Sequence, residues 1–252
     1  MGSFDGVADV YHESRHGYPD ELRDHLVEIG TLWPNASVLD LGAGTGQLAR
    51  LAAEVAASVV AMDPEPDMVR VGQRVTAEHP GIRWITADDG DIPNFFGPSS
   101  LDLVLIGNAF HHMDQASLLT TLDPVVGPNG AVVVCSSSIP VWLQETEWSE
   151  ALRTTLSDLL GRRPDASGAP RHESDTKMLL ASPFPNVSEW ILERPRRRSV
   201  DSIVGELISS ASGAIDEPGA RLLRHAIDPH MTDGTVQEIV TTRAVIARRK
   251  QH

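Results

Sequence analysis

The chain has 252 residues, 41 % of them hydrophobic and 22 % charged, and a formal net charge of −14. That length allows one large domain or one domain with an insertion. So acidic a surface argues against a nucleic-acid partner, because binding to phosphate backbones begins with a basic patch. The single cysteine, Cys135, excludes an intrachain disulfide and a cysteine-clustered zinc site, and it fits a reducing cytoplasm. No apolar stretch approaches the roughly 20 residues that span a bilayer. The opening "MGSFDGVADVYHES" has no apolar h-region, so it does not read as a secretory signal. These features lead to the expectation of a cytoplasmic protein, monomeric or homodimeric, that meets no membrane and acts on a small molecule.

In chain order, a polar start gives way to "YPDELRDHLVEIGTLW", where Leu22, Leu26 and Ile29 recur at helical spacing after Pro19-Asp20. Apolar strands and helices then alternate. "SVLDLG" reads as a strand, Gln47 to Ala57 as a helix and "SVVAMD" as a strand. Asp67 to Glu78 follows as a helix and "IRWITA" as a strand. "LDLVLIGN" is the fourth strand, Asp114 to Val126 a helix with Asp114 as its cap, and "GAVVVCSS" the fifth strand. Strands that are apolar throughout and separated by helices indicate a parallel sheet covered on both faces. Right-handed crossovers then give a doubly wound α/β sandwich.

After Ser138 the alternation stops. "WLQETEWSEALRTTLSDLLG" reads as an amphipathic helix and "RRPDASGAPRHES" as a loop. "NVSEWILERP" reads as a strand, "VDSIVGELISSAS" and "PGARLLRHAIDPHM" as helices, and "EIVTTRAVIARR" as the closing strand. The basic run "ERPRRRS" reads as a solvated strand end. The helical parts are expected to cap the carboxyl edge of the sheet, where ligands bind in open α/β folds. The expected organisation is one domain over 1–252. Its core is about 33–137 plus the C-terminal strands, with an N-terminal lid over 1–32 and a cap over about 139–235.

The loop "GAGTG" follows the first strand. Its glycines Gly42, Gly44 and Gly46 are spaced G-x-G-x-G, so the third comes one residue too early for the dinucleotide fingerprint G-x-G-x-x-G. Asp40, two places before the first glycine, would repel a pyrophosphate but suits an ammonium group. Asp63 ends the second strand, where a carboxylate can accept both hydroxyls of a ribose. Asp88 and Asp89 end the third strand, where a side chain can accept from an adenine amino group. Three carboxylates along one edge suit a ligand with a cationic tail, a ribose and an adenine.

With these segments in this order, the sequence resembles the class I S-adenosylmethionine-dependent methyltransferases, in particular their small-molecule branch. The matching stretches are "VLDLGAGTGQLA", "VVAMDPEPDMV", "ITADDGDIP", "LDLVLIGNAFHHMD" and the opening "ADVYHESRHGYP". The resemblance implies a seven-stranded, mostly parallel sheet and S-adenosyl-L-methionine as cofactor, with S-adenosyl-L-homocysteine as product. It implies Asp40 beside the cofactor's amino group, with Gly42 and Gly44 letting the backbone approach. Asp63 would bind the ribose, Met68 pack on the adenine, and Asp88 and Asp89 hold its edge. Asn108 would lie by the methionine portion. Tyr11, Arg15 and Tyr18 would close the site, Arg15 reaching the methionine carboxylate.

The chemistry asks for a group that removes a proton from the acceptor. His111 and His112, just after the fourth strand, are the candidates, since imidazole titrates near neutral pH. Their bland alternative is packing or a bond to backbone. His12 and His16 fall in the lid, His172 in a polar loop, and His225 and His230 on the cap. No histidine–carboxylate grouping suggests a metal. Trp142, Trp148, Phe110, Phe184 and Met178 are candidates for an apolar substrate pocket, the two tryptophans being more often core. The expected reaction is methyl transfer to an O or N nucleophile of a small metabolite, possible in secondary metabolism. Transfer to carbon, or a cofactor-dependent cyclisation without transfer, is the alternative.

Overall fold

In the computed structural model, which describes residues 12, 17–137, 140–164, 172–210 and 215–250, helix α1 (Asp20–Glu28) precedes strand β1 (Ser37–Leu41). Then come α2 (Gln47–Ala53), β2 (Ser58–Asp63), α3 (Pro66–Val75) and β3 (Ile82–Thr86). The short α4 (Ile92–Phe95), β4 (Leu101–Gly107), α5 (Gln115–Val125) and β5 (Val126–Ser137) complete the alternation. After it lie α6 (Glu147–Leu160), α7 (His172–Leu180), β6 (Asn186–Ser199), α8 (Val200–Ser210), α9 (Glu217–Ile227) and β7 (Thr235–Arg248). The strands form one seven-stranded sheet in the order β3-β2-β1-β4-β5-β7-β6. β1 runs parallel to β2 and β4, β2 to β3, and β4 to β5, while β7 lies antiparallel to β5. The doubly wound α/β architecture expected from the sequence is the one observed.

The chain divides into two compact units. The first comprises Gly17–Ser137, Pro170–Ile191 and Thr242 onward. Strands β1, β2, β4 and β5 are buried on both faces because their residues alternate between two cores, while the edge strand β3 is half-exposed. Leu39, Leu41, Val104, Ile106, Val132 and Val134 join Leu118, Leu122 and Leu179 from α5 and α7. Val38, Leu103, Leu105, Ala131 and Val133 join Leu22 and Leu26 of α1 and Leu48 and Ala52 of α2 on the other side. A strand that must face oil twice has no room for a polar period, which is why these segments read as continuous apolar runs.

The second unit comprises the described residues of Ser138–Ala169 together with Leu192–Thr241. It has its own core, where Trp148, Leu152 and Leu156 of α6 meet Ile203, Val204 and Leu207 of α8 and Leu223 and Ile227 of α9. Helix α6 starts later than the sequence pattern suggests. The Thr146 side chain accepts from the Ser149 N–H and fixes the first turn, and Gly161 ends the helix at φ +62°. The basic run is not wholly solvated. Arg198 is buried and pairs with Glu206 at 2.9 Å and Glu238 at 3.5 Å, and Arg196 meets Glu238 at 3.5 Å. Residues 196 and 198 share one face of β6, as a period of two requires, whereas Arg197 points to solvent. The other departure is α7. Residues 172–174, read from sequence as loop, open this helix.

Trp84 fixes how α3 sits on the sheet. Its indole N–H donates to Thr76 Oγ1 at 3.0 Å, and its ring lies against Gly72 and Gly46. A Cβ at Gly72 would stand 2.1 Å from the ring. Alanine is favoured over glycine inside a helix by about 1 kcal/mol, yet overpacking against a rigid ring costs about 1–3 kcal/mol. Gly72→Ala should therefore destabilise the protein on balance. A urea midpoint equal to or above that of the wild type would refute this.

Candidate active site

The glycine loop leaves the end of β1 and turns into α2. Gly42 has φ +66°, and a Cβ there would lie 2.6 Å from Ala109 Cβ, so this turn belongs to glycine on both counts. The same contact seats the loop against the segment that follows β4. Gly46, the N-cap of α2, has φ +83°, which again favours glycine. Gly44 donates its backbone N–H to Asp63 Oδ2 at 2.7 Å, while the other oxygen, Oδ1, accepts from the Glu65 N–H at 3.0 Å. One carboxylate thus ties the glycine loop to the start of α3. Burial pushes the Asp63 carboxyl above its usual range, and the two backbone bonds oppose that shift.

Asp40 sits one row further back. The register pairs Asp40 with Ala61, two residues before Asp63. Its side chain is buried at 1 % exposure, and its Oδ2 accepts from the Ala49 N–H at 2.8 Å. Burial pushes its carboxyl up to about 7, the Ala49 bond opposes this, and the charge of Asp63 adds to it. Asp40 therefore fastens α2 to β1 from below the loop.

At the third strand end, Asp88 is exposed and serves as a cap. Its Oδ1 accepts from the Gly90 N–H at 2.9 Å, and Asp91 answers by accepting from the Asp88 N–H. Asp89 is half-buried in the 3₁₀ turn that follows. Met68 is half-buried in the first turn of α3. Tyr18 packs on the α1/α2 side of the sheet, with its hydroxyl 2.8 Å from where a Cβ at Gly107 would stand, at the end of β4. Tyr11 and Arg15 lie outside the described residues.

Beyond β4 the chain turns sharply. Asn108 takes φ +52°, donates its N–H to the Cys135 carbonyl, and accepts from the Ser137 N–H through Oδ1 at 3.2 Å. Its amide therefore braces the ends of β4 and β5. Phe110–His112 form a 3₁₀ turn in which Phe110 is core, His111 half-buried and His112 exposed. The two imidazoles lie 3.9 Å apart, tilted by 44°. Asp114 caps α5 by accepting from the Ser117 N–H at 3.1 Å, as expected.

Beside this turn is a small recess of about 20 Å³. Its polar lining is Asn108, His111, Ser136 and Asp175, with Phe110, Val134 and Val245 as apolar wall. Asp175 is the residue the sequence reading missed. It is buried, and its Oδ1 accepts from Gln115 Nε2 at 2.9 Å. The carboxylate lies just past the stretch read as loop and sixty residues from its amide partner, so no local spacing marks it. Cys135 also borders the recess, with burial holding its thiol far above the usual range and inert as a nucleophile.

Of the aromatic candidates, Phe110 borders the recess. Trp148 is buried in the helical core with its indole N–H on the Gln237 carbonyl, and Trp142 packs against the same core. Phe184 is fully buried in the sheet unit, where Arg249 stacks on its ring. These rings were drawn inward by area alone, each burying roughly 150–250 Å². Among the described residues, no group of three His, Cys, Asp or Glu side chains could hold a metal ion, and no helix is long and apolar enough to cross a membrane.

Residues 38–130 match the profile of a methyltransferase domain. An uncharacterised methyltransferase of Mycobacterium tuberculosis is 29 % identical over 216 residues, covering 86 % of this chain and 79 % of that one. A demethylmenaquinone methyltransferase of Streptomyces avermitilis is 31 % identical over 172 residues, covering 65 % of this chain and 72 % of that one. The chain belongs to the class I S-adenosylmethionine-dependent methyltransferases. Solved structures agree with this methyltransferase in fold. A protein from Anaeromyxobacter dehalogenans, assigned as a type II methyltransferase, superimposes with a TM-score of 0.68 at 22 % identity, over 93 % of this chain and 97 % of that one. YcgJ of Bacillus subtilis does so with a TM-score of 0.56 at 15 % identity, over 95 % and 100 %.

Proposed function

We propose that this methyltransferase binds S-adenosylmethionine along the carboxyl ends of β1, β2 and β3 and moves its methyl group to an O or N nucleophile of a small molecule. The observation that carries the reading is the Asp63 carboxylate, which holds the glycine loop through Gly44 and the start of α3 through Glu65. Each of its oxygens keeps a further acceptor site for a ribose hydroxyl. The donor set fits the cofactor. Gly42 and Gly44 offer bare backbone, Met68 a flat apolar contact for an adenine, and Asp89 an acceptor for its amino group. In this reading Asp40, buried behind the loop, and Asn108 are the residues nearest the end that would carry the ammonium, with Tyr18 beside them.

When bound, S-adenosylmethionine supplies a methyl group already activated by a positively charged sulfur. The protein then has to hold the acceptor in line and take its proton. His111 is the residue for that proton, because it borders the recess, whereas His112 is exposed and lies against its ring. A second reading has support from the relative named for demethylmenaquinone, which makes that quinone an acceptor to assay.

The test is calorimetric titration with S-adenosylhomocysteine, for which micromolar binding is expected. Absence of binding heat at several temperatures would end the reading. Mass spectrometry of reactions with small amines, phenols and demethylmenaquinone then separates transfer from cyclisation. Only transfer adds one methyl group to the acceptor and releases S-adenosylhomocysteine.

A further inference from the structure

Helix α2 carries one cation, Arg50, four residues after the last glycine of the loop. Glu54, one turn further on, lies on the same face of the helix but pairs with Arg23 of α1. Arg23 also meets Asp20 at 3.5 Å and Asp24 at 2.9 Å. One arginine thus serves three acids of the α1/α2 seam, and Arg50 serves none of them. Its side chain is half-buried, and its Nε is buried without a hydrogen-bond partner. No acidic side chain among the described residues pairs with its guanidinium. The Nη2 atom stands 4.0 Å from where a Cβ at Gly17 would lie. Tyr18 comes next in the chain, with its hydroxyl beside Gly107 at the end of β4, and Leu48 of α2 reaches the same glycine. Arg50 therefore sits in a corner made by the helix of the glycine loop, the start of α1 and the end of β4, all within the first compact unit.

We propose that Arg50 is a cofactor-binding residue that pairs with the carboxylate of the methionine portion. This rests on the reading that S-adenosylmethionine lies along the ends of β1, β2 and β3, with its methionine end toward Asn108 and Tyr18. A guanidinium presents five donors in a rigid fork that matches a carboxylate. The acids along the proposed edge, Asp40, Asp63, Asp88 and Asp89, suit the ammonium, the ribose and the adenine, and would repel the carboxylate. That carboxylate is the one anionic group the cofactor carries, and Arg50 is the cation at the corner where it belongs. The resemblance gives the same group to Arg15. A carboxylate has about four lone-pair sites and accepts from two guanidinium groups at once. With Arg50 in this role, the site selects S-adenosyl amino acids over adenine nucleosides that lack the carboxylate.

The test compares two ligands that differ only in that group, S-adenosylhomocysteine and 5′-deoxy-5′-(3-aminopropylthio)adenosine, titrated calorimetrically into the full chain. Arg50→Met keeps a long unbranched stem for the helix and its packing, and removes the charge. It should weaken S-adenosylhomocysteine about tenfold or more, as expected for a charge-assisted contact, and leave the amine analogue within about twofold. Arg50→Lys should recover part of the loss. No partner within the chain is removed, so the unliganded variant should melt within about 2 °C of the wild type. An equal loss for both ligands would make Arg50 a support of the loop and overturn the assignment. So would S-adenosylhomocysteine binding within about twofold of wild type, which would leave the carboxylate to Arg15. If Arg50→Met melts early, Arg50→Gln, titrated well below its own melting temperature, is judged by the same two outcomes. Failure of the folded wild type to bind S-adenosylhomocysteine would instead overturn the cofactor reading beneath the proposal.

Discussion

Replacing Asp63 by alanine should raise the dissociation constant for S-adenosylhomocysteine at least about a hundredfold, or roughly 2.7 kcal/mol. The expectation has two parts. Removing the carboxylate deletes the proposed acceptor of the ribose hydroxyls. It also releases the Gly44 and Glu65 N–H groups, which Asp63 holds at 2.7 and 3.0 Å. An orphaned donor costs about 1–3 kcal/mol where it stays dry, so the loop should loosen and the melting temperature fall. Asp63→Asn is nearly as damaging, although it is isosteric. Its side chain has one acceptor oxygen, so one of the two N–H groups must face an NH₂. Titration of both variants, with thermal melts to confirm folding, decides the matter. Binding by folded Asp63→Ala within about threefold of wild type would remove Asp63 from the ribose site.

This geometry also shows what the sequence can and cannot disclose. Four strands of the alternation, β1, β2, β4 and β5, were legible because double burial leaves them no polar period, and "SVVAMD" coincides with β2 to the residue. The glycine loop and its acidic neighbours were legible because backbone strain and charge are properties of single positions. Asp88 illustrates the limit. The sequence puts its carboxylate at the strand end suited to an adenine, and in the fold the same carboxylate also caps a 3₁₀ turn with Asp91. A capping box and a ligand-binding carboxylate use the same residue type at the same strand end. Asp175 and Arg198 were illegible for another reason. Their partners, Gln115 and Glu238, lie 60 and 40 residues away, and only tertiary packing brings them together. Charged residues on a helix or in a basic run read as solvated unless the partner is known. Trp148 lies in the core, the side toward which the sequence leans, since area buries so large a ring whether or not a ligand is near.

Asp40 should make stability depend on pH in a direction opposite to that of most carboxylates. Its folded-state value stands at about 7 against an ordinary 3.8, because burial penalises the charged form and Asp63 adds repulsion. The folded chain therefore holds this proton more tightly than the unfolded chain. The stabilisation it gives is fully present below pH 4 and is lost as pH rises through about 7. Integrated over that window it is on the order of 4 kcal/mol. Asp40→Asn offers Ala49 the same acceptor and cannot ionise. Urea unfolding should find the two proteins of similar stability at pH 4 and the asparagine variant clearly more stable at pH 8. The difference should narrow in the Asp63→Asn background, because the neighbouring charge that helps to raise Asp40 is gone. Parallel stability curves from pH 5 to pH 8 would show that Asp40 is ionised throughout and that its bond from Ala49 outweighs its burial. A cation bound above the loop would act in the same sense as removing Asp63, drawing the proton from Asp40. A cofactor with a positive charge should thus bind with proton release near neutrality, and titration of S-adenosylmethionine in buffers of different ionisation enthalpy reads that release directly.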